Sequence, residues 1–332
     1  MYQLFMKVKQ MGCGMTMLMA LVVMYQYKNS VIGTALVAAT VRVRQGLPTS
    51  CILFVFYVNE MIRLIKQGCP LDGFLSWLHI VVMMDDTVLL ATSKQGMKNK
   101  IKLMYDFCTS HDMIVNNTKT KFMVVNGNAV DKEPIELNGN IIDYCKQYIY
   151  LGSPFTEDGS PSTAIKIHAN NKMCHVLKFI YFVNRNNDVP FMIKNKIFDA
   201  ALMSTILYGC ESWLNGDLLP IEKQYKWCIK QLLGVRKTTT NDICMVELGL
   251  PPLKALVISR QRNFFKKMWL ERNGMDDDPL IYGMQLLFRY NDAVSRLVRG
   301  FTMNDTNDIE NAINKLKTNI IQNTTSNRMI FL

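Results

Sequence analysis

The chain has 332 residues, 49% of them hydrophobic and 20% charged, with a formal net charge of +11. That is enough chain for two or three packed subdomains of ordinary globular character, and the positive surplus suggests a polyanionic partner, either nucleic acid or an anionic membrane. The nine cysteines are scattered, odd in number and never spaced Cys-x-x-Cys. Neither a disulfide framework nor a zinc knuckle is indicated, and reduced thiols in an intracellular protein are expected.

Residues 1–28 read as a helix that stops near Asn29 and Ser30. Inside it, residues 15–25 are apolar behind Lys7 and Lys9. The run is too short to span a bilayer and no clean cleavage site follows it, so a buried amphipathic helix is expected. Residues 31–43 read as a strand or a pair of strands. Arg44-Gln45-Gly46-Leu47-Pro48-Thr49-Ser50 is a turn, in which Gly46 permits unusual dihedrals and Pro48 presets one. Thr49 or Ser50 is then placed to cap a helix over residues 51–67, followed by a loop over residues 68–72.

Residues 78–90 place Asp85 and Asp86 between two apolar runs. Carboxylates in such a setting need a reason. One is a hard cation bound at the tip of a strand hairpin; the other is an acidic turn joining two buried strands. The segment alone does not choose between them.

A helix is predicted over residues 94–110, with Met97, Ile101, Met104, Tyr105 and Cys108 at helical spacing. Met113-Ile114-Val115 and Phe122-Met123-Val124-Val125 read as strands flanking Asn116-Asn117-Thr118-Lys119-Thr120-Lys121. Residues 135–142 contain Asn138-Gly139, a hairpin signal. Residues 148–152 read as a strand into a turn, and residues 156–161 as a loop.

Beyond Pro161 helical patterns dominate to about Asn273, broken near residues 186–190, 215–220 and 238–242. Between Pro161 and Arg272, 17 Lys and Arg stand against 8 Asp and Glu, so most of the positive surplus lies here. The tail over residues 291–332 is weakly periodic. The first part suggests an antiparallel sheet backed by helices, the second a helical bundle, and the class is therefore α+β.

Four segments, in order, resemble the reverse transcriptases of non-LTR (LINE-type) retrotransposons: the Arg44–Ser50 turn, Met83-Met84-Asp85-Asp86, Asn116–Lys121, and Tyr150-Leu151-Gly152-Ser153. Leu207-Tyr208-Gly209-Cys210-Glu211-Ser212-Trp213 and Gln231–Arg236 resemble the downstream part of such elements. The resemblance spans roughly residues 1–285. It implies a partial polymerase palm with a finger remnant over residues 1–127 and a hairpin with a primer-grip-like turn over 128–160. A helical thumb-like region follows over 161–290, and a weakly structured tail over 291–332.

The same resemblance implies an RNA-directed DNA polymerase using two magnesium ions, or manganese in their place. Its partners would be an RNA template, a DNA primer and deoxynucleotide triphosphates, without a membrane. Asp85 matches the more direct metal ligand, with Asp86 in support. Gln45 and Arg44 would meet nucleotide and template, with Gly46 and Pro48 shaping their turn. Lys119 would sit near the leaving pyrophosphate, and Leu151-Gly152 at the primer grip. Arg260, Arg262, Lys266 and Lys267, interleaved with Phe264, Phe265 and Trp269 on one predicted helix, would meet duplex phosphates. Each has a plainer alternative: a turn amide at Gln45, solvated charges at Arg44 and Lys119, a strand end at Leu151-Gly152. For the last helix the alternative keeps the aromatics in the core and the basic groups in water.

Adjacent strand residues face opposite ways, so Asp85 and Asp86 cannot serve one metal pair equally. The family supplies a second carboxylate upstream of the Arg-Gln-Gly turn, yet this chain has no Asp or Glu before Glu60. Glu60 itself lies inside a predicted helix. The expectation is therefore an N-terminally truncated domain with weak or absent activity, inside the cell, in cytoplasm or nucleus. A non-catalytic basic nucleic-acid-binding protein and a decayed retroelement fragment are the competing readings.

Overall fold

In the computed structural model the described residues are Lys9, Met19, 29–32, 35–38, 48–70, 72, 78–137 and 139–272. The Arg44-Gln45-Gly46 turn and the 291–332 tail fall outside them. So does the helix expected over residues 1–28, apart from Lys9 and Met19, which are helical. Met19 is 55% exposed, so the apolar run is not buried at that position. The chain forms two compact units, residues 1–121 with 134–143, and residues 122–133 with 144–332.

In the first unit, β1 (Asn29–Ile32) and β2 (Ala35–Ala38) pair antiparallel, which resolves residues 31–43 as a pair of strands. Helix α1 runs Pro48–Gly68. It starts at the proline, whose missing N–H would have no intrahelical partner there. Thr49 and Ser50 therefore lie in its first turn rather than capping it. Strands β3 (Ile80–Met83) and β4 (Asp86–Leu89) form the aspartate hairpin, and α2 follows over Lys94–Ser110. The Ser93 side chain caps α2, accepting from the Gly96 amide at 3.0 Å.

Val58, Met61 and Ile65 of α1, Met104 and Phe107 of α2, and Ile80 of β3 make one core, with Val82 and Leu89 packed against it. The hairpin thus buries one face only. Val81 and Met83 are exposed, so the alternative of an acidic turn between two buried strands does not describe this hairpin.

Met113-Ile114-Val115 is not a strand, and Ile114 is 97% exposed. The backbone is still leaving α2 there, with the Met113 amide bonded to the Cys108 carbonyl at 2.9 Å. The second expected strand is only the two residues of β5 (Lys121–Phe122). The Asn-Gly hairpin is present as β6 (Ile135–Leu137) and β7 (Asn140–Tyr144), with Gly139 at φ 77° in the turn.

The second unit opens its last hairpin with β8 (Gln147–Tyr150) and β9 (Ser153–Thr156). Helices follow: α3 (Pro161–Arg185), α4 (Phe191–Ile197) continuing through a π-helical Phe198–Met203, α5 (Leu219–Leu233), α6 (Asn241–Glu247) and α7 (Leu253–Arg272). Helix α5 shows why they bundle. Ile221, Tyr225, Cys228, Ile229 and Leu232 recur three or four apart and are all buried, against Ile165, Ala169, Val176 and Ile180 of α3. Gly234, at φ 67°, stops α5 in a left-handed cap.

Several polar groups inside this bundle are matched, although the buried Gln224 Oε1 has no hydrogen-bond partner. Tyr225 donates to the Pro251 carbonyl at 2.8 Å, Gln261 to the Cys210 carbonyl at 3.1 Å, and His168 Nε2 to the Ile206 carbonyl at 3.1 Å. The architecture is α+β, with its strands in small antiparallel hairpins.

Candidate active site

Met83 pairs with Asp86 at the end of the β3–β4 ladder, leaving Met84 and Asp85 as a two-residue turn. Asp85 therefore sits at the apex and Asp86 opens β4; both are exposed. Met84 adopts φ 54°, a conformation that costs an L-residue about 1–2 kcal/mol. Two exposed carboxylates are oxygen donors of the kind a hard cation takes, so the apex fits as part of a metal shell. Among the described residues, no group of three or more His, Cys, Asp or Glu converges as a metal site. Glu60 lies in α1, with its carboxylate 4.0 Å from His111 Nε2.

Beneath the apex, at the other end of the hairpin, is a polar cluster that the sequence did not suggest. The Leu90 amide bonds the His79 carbonyl at 2.9 Å, extending the ladder by one step. Lys100 of α2 is fully buried and donates to the carbonyls of Leu90 and Asp72, each at 2.5 Å. Asp72 Oδ1 accepts from the Thr92 amide at 3.1 Å, the Thr92 hydroxyl at 2.5 Å and the Ser93 hydroxyl at 3.3 Å.

A Cβ at position 96 would lie 1.2 Å from Asp72 Oδ2, so Gly96 makes this approach feasible. Burial raises the Asp72 carboxyl, but its hydrogen bonds to Thr92 and Ser93, with the nearby Lys100 ammonium, outweigh that and hold it below its ordinary range. Burial pulls Lys100 down, partly offset by Asp72 and Cys69. The readable signal was position. Gly96, Lys100, Met104 and Phe107 form the buried stripe of α2 together with Ile101, whereas Tyr105 and Cys108 are only half-buried.

Lys119 is exposed in a turn organised by Asn116. The Asn116 carbonyl accepts from the Lys119 and Thr120 amides at 3.2 and 3.0 Å, and its side chain from the Thr118 hydroxyl at 2.7 Å. Asn117 ties the turn to Tyr105 of α2 and to Asn140 of β7. Asp85, Asp86 and Lys119 thus share the first unit. Pro48 is placed by backbone at the start of α1, while Arg44, Gln45 and Gly46 are outside the described residues.

Leu151 and Gly152 form the β8–β9 turn, at φ 48° and 82°. In the second unit, the Tyr208 hydroxyl donates to the Leu151 carbonyl at 2.8 Å, and a Cβ on Gly152 would come within 3.1 Å of the Tyr208 ring. Tyr208 and Leu151 line an open cleft of about 540 Å³, shared with Phe155, Glu211 and Arg260. Arg260 thus lines the same cleft as Leu151. Burial pushes the neighbouring Cys210 thiol up to about 12, with Glu211 adding to it and Arg260 opposing. On α7, Arg262 and Lys266 are half-buried and Lys267 is exposed. The aromatics divide, Phe265 entering the core and Phe264 remaining 45% exposed.

Residues 1–155 match the family model described as reverse transcriptase (RNA-dependent DNA polymerase). By family, this segment is an RNA-directed DNA polymerase domain. The match takes in the Asp85–Asp86 hairpin, Lys119 and the Leu151-Gly152 turn, and stops before α3. A search of curated proteins gives no match. Template, primer and deoxynucleotide triphosphates are the substrates that a reverse transcriptase domain implies. No helix among the described residues is long and apolar enough to cross a membrane.

Proposed function

We propose that the chain derives from the polymerase of a non-LTR (LINE-type) retrotransposon, with the β3–β4 apex as its metal-binding hairpin. The observation that carries this is the place of Asp85 and Asp86. They sit at the exposed tip of a two-residue turn, inside the segment that matches the reverse transcriptase family. In this reading Asp85 holds magnesium directly, or manganese in its place, and Asp86 supports the turn. A bound ion would supply Lewis-acid activation of the primer hydroxyl and charge neutralisation at the triphosphate.

Lys119 is assigned to the leaving phosphate side, Arg44, Gln45, Gly46 and Pro48 to nucleotide and template, and Leu151-Gly152 to the primer. Residues 1–127 are read as palm with part of the fingers, 128–160 as the primer-gripping hairpin, 161–290 as a thumb and 291–332 as a tail. The cell interior, cytoplasm or nucleus, is where such a protein meets its RNA.

The activity proposed for this chain is weak. Residues 1–59 hold five basic side chains and no Asp or Glu. Removing one preorganised electrostatic group typically costs about 10²–10³-fold in rate. Primer extension on an RNA template with magnesium or manganese should give at most trace product. Robust extension that Asp85→Ala abolishes would overturn the weak activity while supporting the family role.

One observation favours a second reading. Helix α3 carries Lys166, Lys172, Lys178 and Arg185 and no acidic residue over its 25 positions. A non-catalytic nucleic-acid-binding protein would need that surface and not the aspartates. Salt-sensitive affinity for RNA–DNA hybrid, indifferent to magnesium and to Asp85→Asn and accompanied by no extension, would select it.

A further inference from the structure

We infer that Lys100 is a positioning residue for the aspartate hairpin, an inference that rests on the metal-binding reading of Asp85. The hairpin is only four residues deep on each strand, and its two strands are held by their own ladder and by one covered face. Its open end is where rotation or fraying of the ladder would begin. That end is closed by three things: the Leu90–His79 backbone bond, the Lys100 ammonium on the Leu90 carbonyl, and the same ammonium on the Asp72 carbonyl.

Asp72 is in turn fixed to Thr92 and Ser93, the last two of the four residues between the end of β4 and the start of α2. One cation therefore ties together the segment before β3, the end of β4 and the body of α2. A lysine with no exposed surface is costly unless its charge and donors are matched, and here two carbonyls and a nearby carboxylate match it. Because a strand transmits its orientation along its length, fixing Leu90 sets the direction in which Asp86 and the Asp85 apex point. Lys100 touches neither apex carboxylate in this arrangement and acts through the strand.

The test uses the full chain with ¹³C-methyl-labelled methionine. Met83 and Met84 immediately precede Asp85 and are both exposed, so their methyl signals report Mn²⁺ bound at the apex by paramagnetic broadening. Hydrogen exchange of the Leu90 amide reports the clamp. Lys100→Met keeps the buried stem and removes the charge; Lys102→Met removes a charge from the exposed side of α2 as a control.

In Lys100→Met, Leu90 exchange should rise about tenfold or more, equivalent to about 1.4 kcal/mol. The Mn²⁺ midpoint for Met83 and Met84 should rise several-fold. Met203 and Met245, in the second unit, and the Lys102→Met protein should show neither change. Should Lys100→Met fail to fold, the same readings are taken on Lys100→Met/Asp72→Asn, where no carboxylate is left without its cation.

Unchanged Leu90 exchange overturns the inference. Faster exchange with an unmoved Mn²⁺ midpoint also overturns it, leaving Lys100 a structural clamp only. If the wild-type protein shows no broadening that Asp85→Asn removes, the metal-binding reading itself has failed, and the positioning role fails with it.

Discussion

Met84 is held at φ 54° one position ahead of Asp85, and its side chain is 43% exposed. Little packing is at stake there, so substitutions read the backbone. Met84→Val, β-branched at positive φ, should destabilise by about 1–2 kcal/mol relative to Met84→Gly. Urea midpoints of the two variants give the comparison, and equal midpoints would mean the turn relaxes freely. Gly96 gives a second case. An added Cβ must displace the Asp72 carboxylate, so Gly96→Ala should cost about 1–3 kcal/mol despite alanine's better helix propensity, as a denaturation midpoint would show. Neither cost was legible from the sequence. No local pattern singles out Lys100 or Gly96, and only the fold brings Asp72 beside both.

The elements themselves were more legible. The apolar spacing places α2 at Lys94–Ser110 as expected, because such a stripe is a local signal. The Asn-Gly and Leu-Gly turns likewise mark the β6–β7 and β8–β9 hairpins. Residues 113–115 misled, since β-branched apolar residues suit a strand only where a partner strand is offered. The cleft beside β8–β9 was not visible at all, because Tyr208 reaches Leu151 across 57 positions of sequence. That contact has a measurable weight. Gly152→Val would force a branched side chain against the Tyr208 ring at positive φ, and should destabilise the second unit by about 2–4 kcal/mol. Tyrosine fluorescence against urea checks this, and a loss below 1 kcal/mol would show that the turn does not depend on its seat.

For the molecule as a whole, several groups make the folded state lose stability in acid. Burial depresses His168 below its ordinary 6.5, as it does His79. Hydrogen bonds from Lys132 and Tyr144 hold Glu157 low, and those from Thr156 and Thr163 hold Asp158 low. For a histidine with a lowered folded value, the unfolded chain takes up the proton first. Stability is then full above about 6.5 and is lost as pH falls from there towards the folded value. The two carboxylates add to the loss at lower pH, below their unfolded values. The thermal midpoint should therefore fall as pH drops from 7 to 5, and His168→Gln, if it folds, should flatten that slope. An unchanged slope would remove His168 as a cause.

The β8–β9 hairpin also bears on where the chain can be divided. The segment that matches the family stops at Phe155, one residue short of the end of β9. The helix against which β9 packs, α3, begins only at Pro161. A fragment ending at Phe155 would keep Tyr148, Ile149 and Leu151 but lose α3 and Tyr208. It would present an unfinished strand edge rich in apolar side chains, the kind of surface through which polypeptides associate with one another. The boundary drawn by similarity is thus a poor cleavage point, and a soluble piece of this protein should extend through the helical bundle to Arg272.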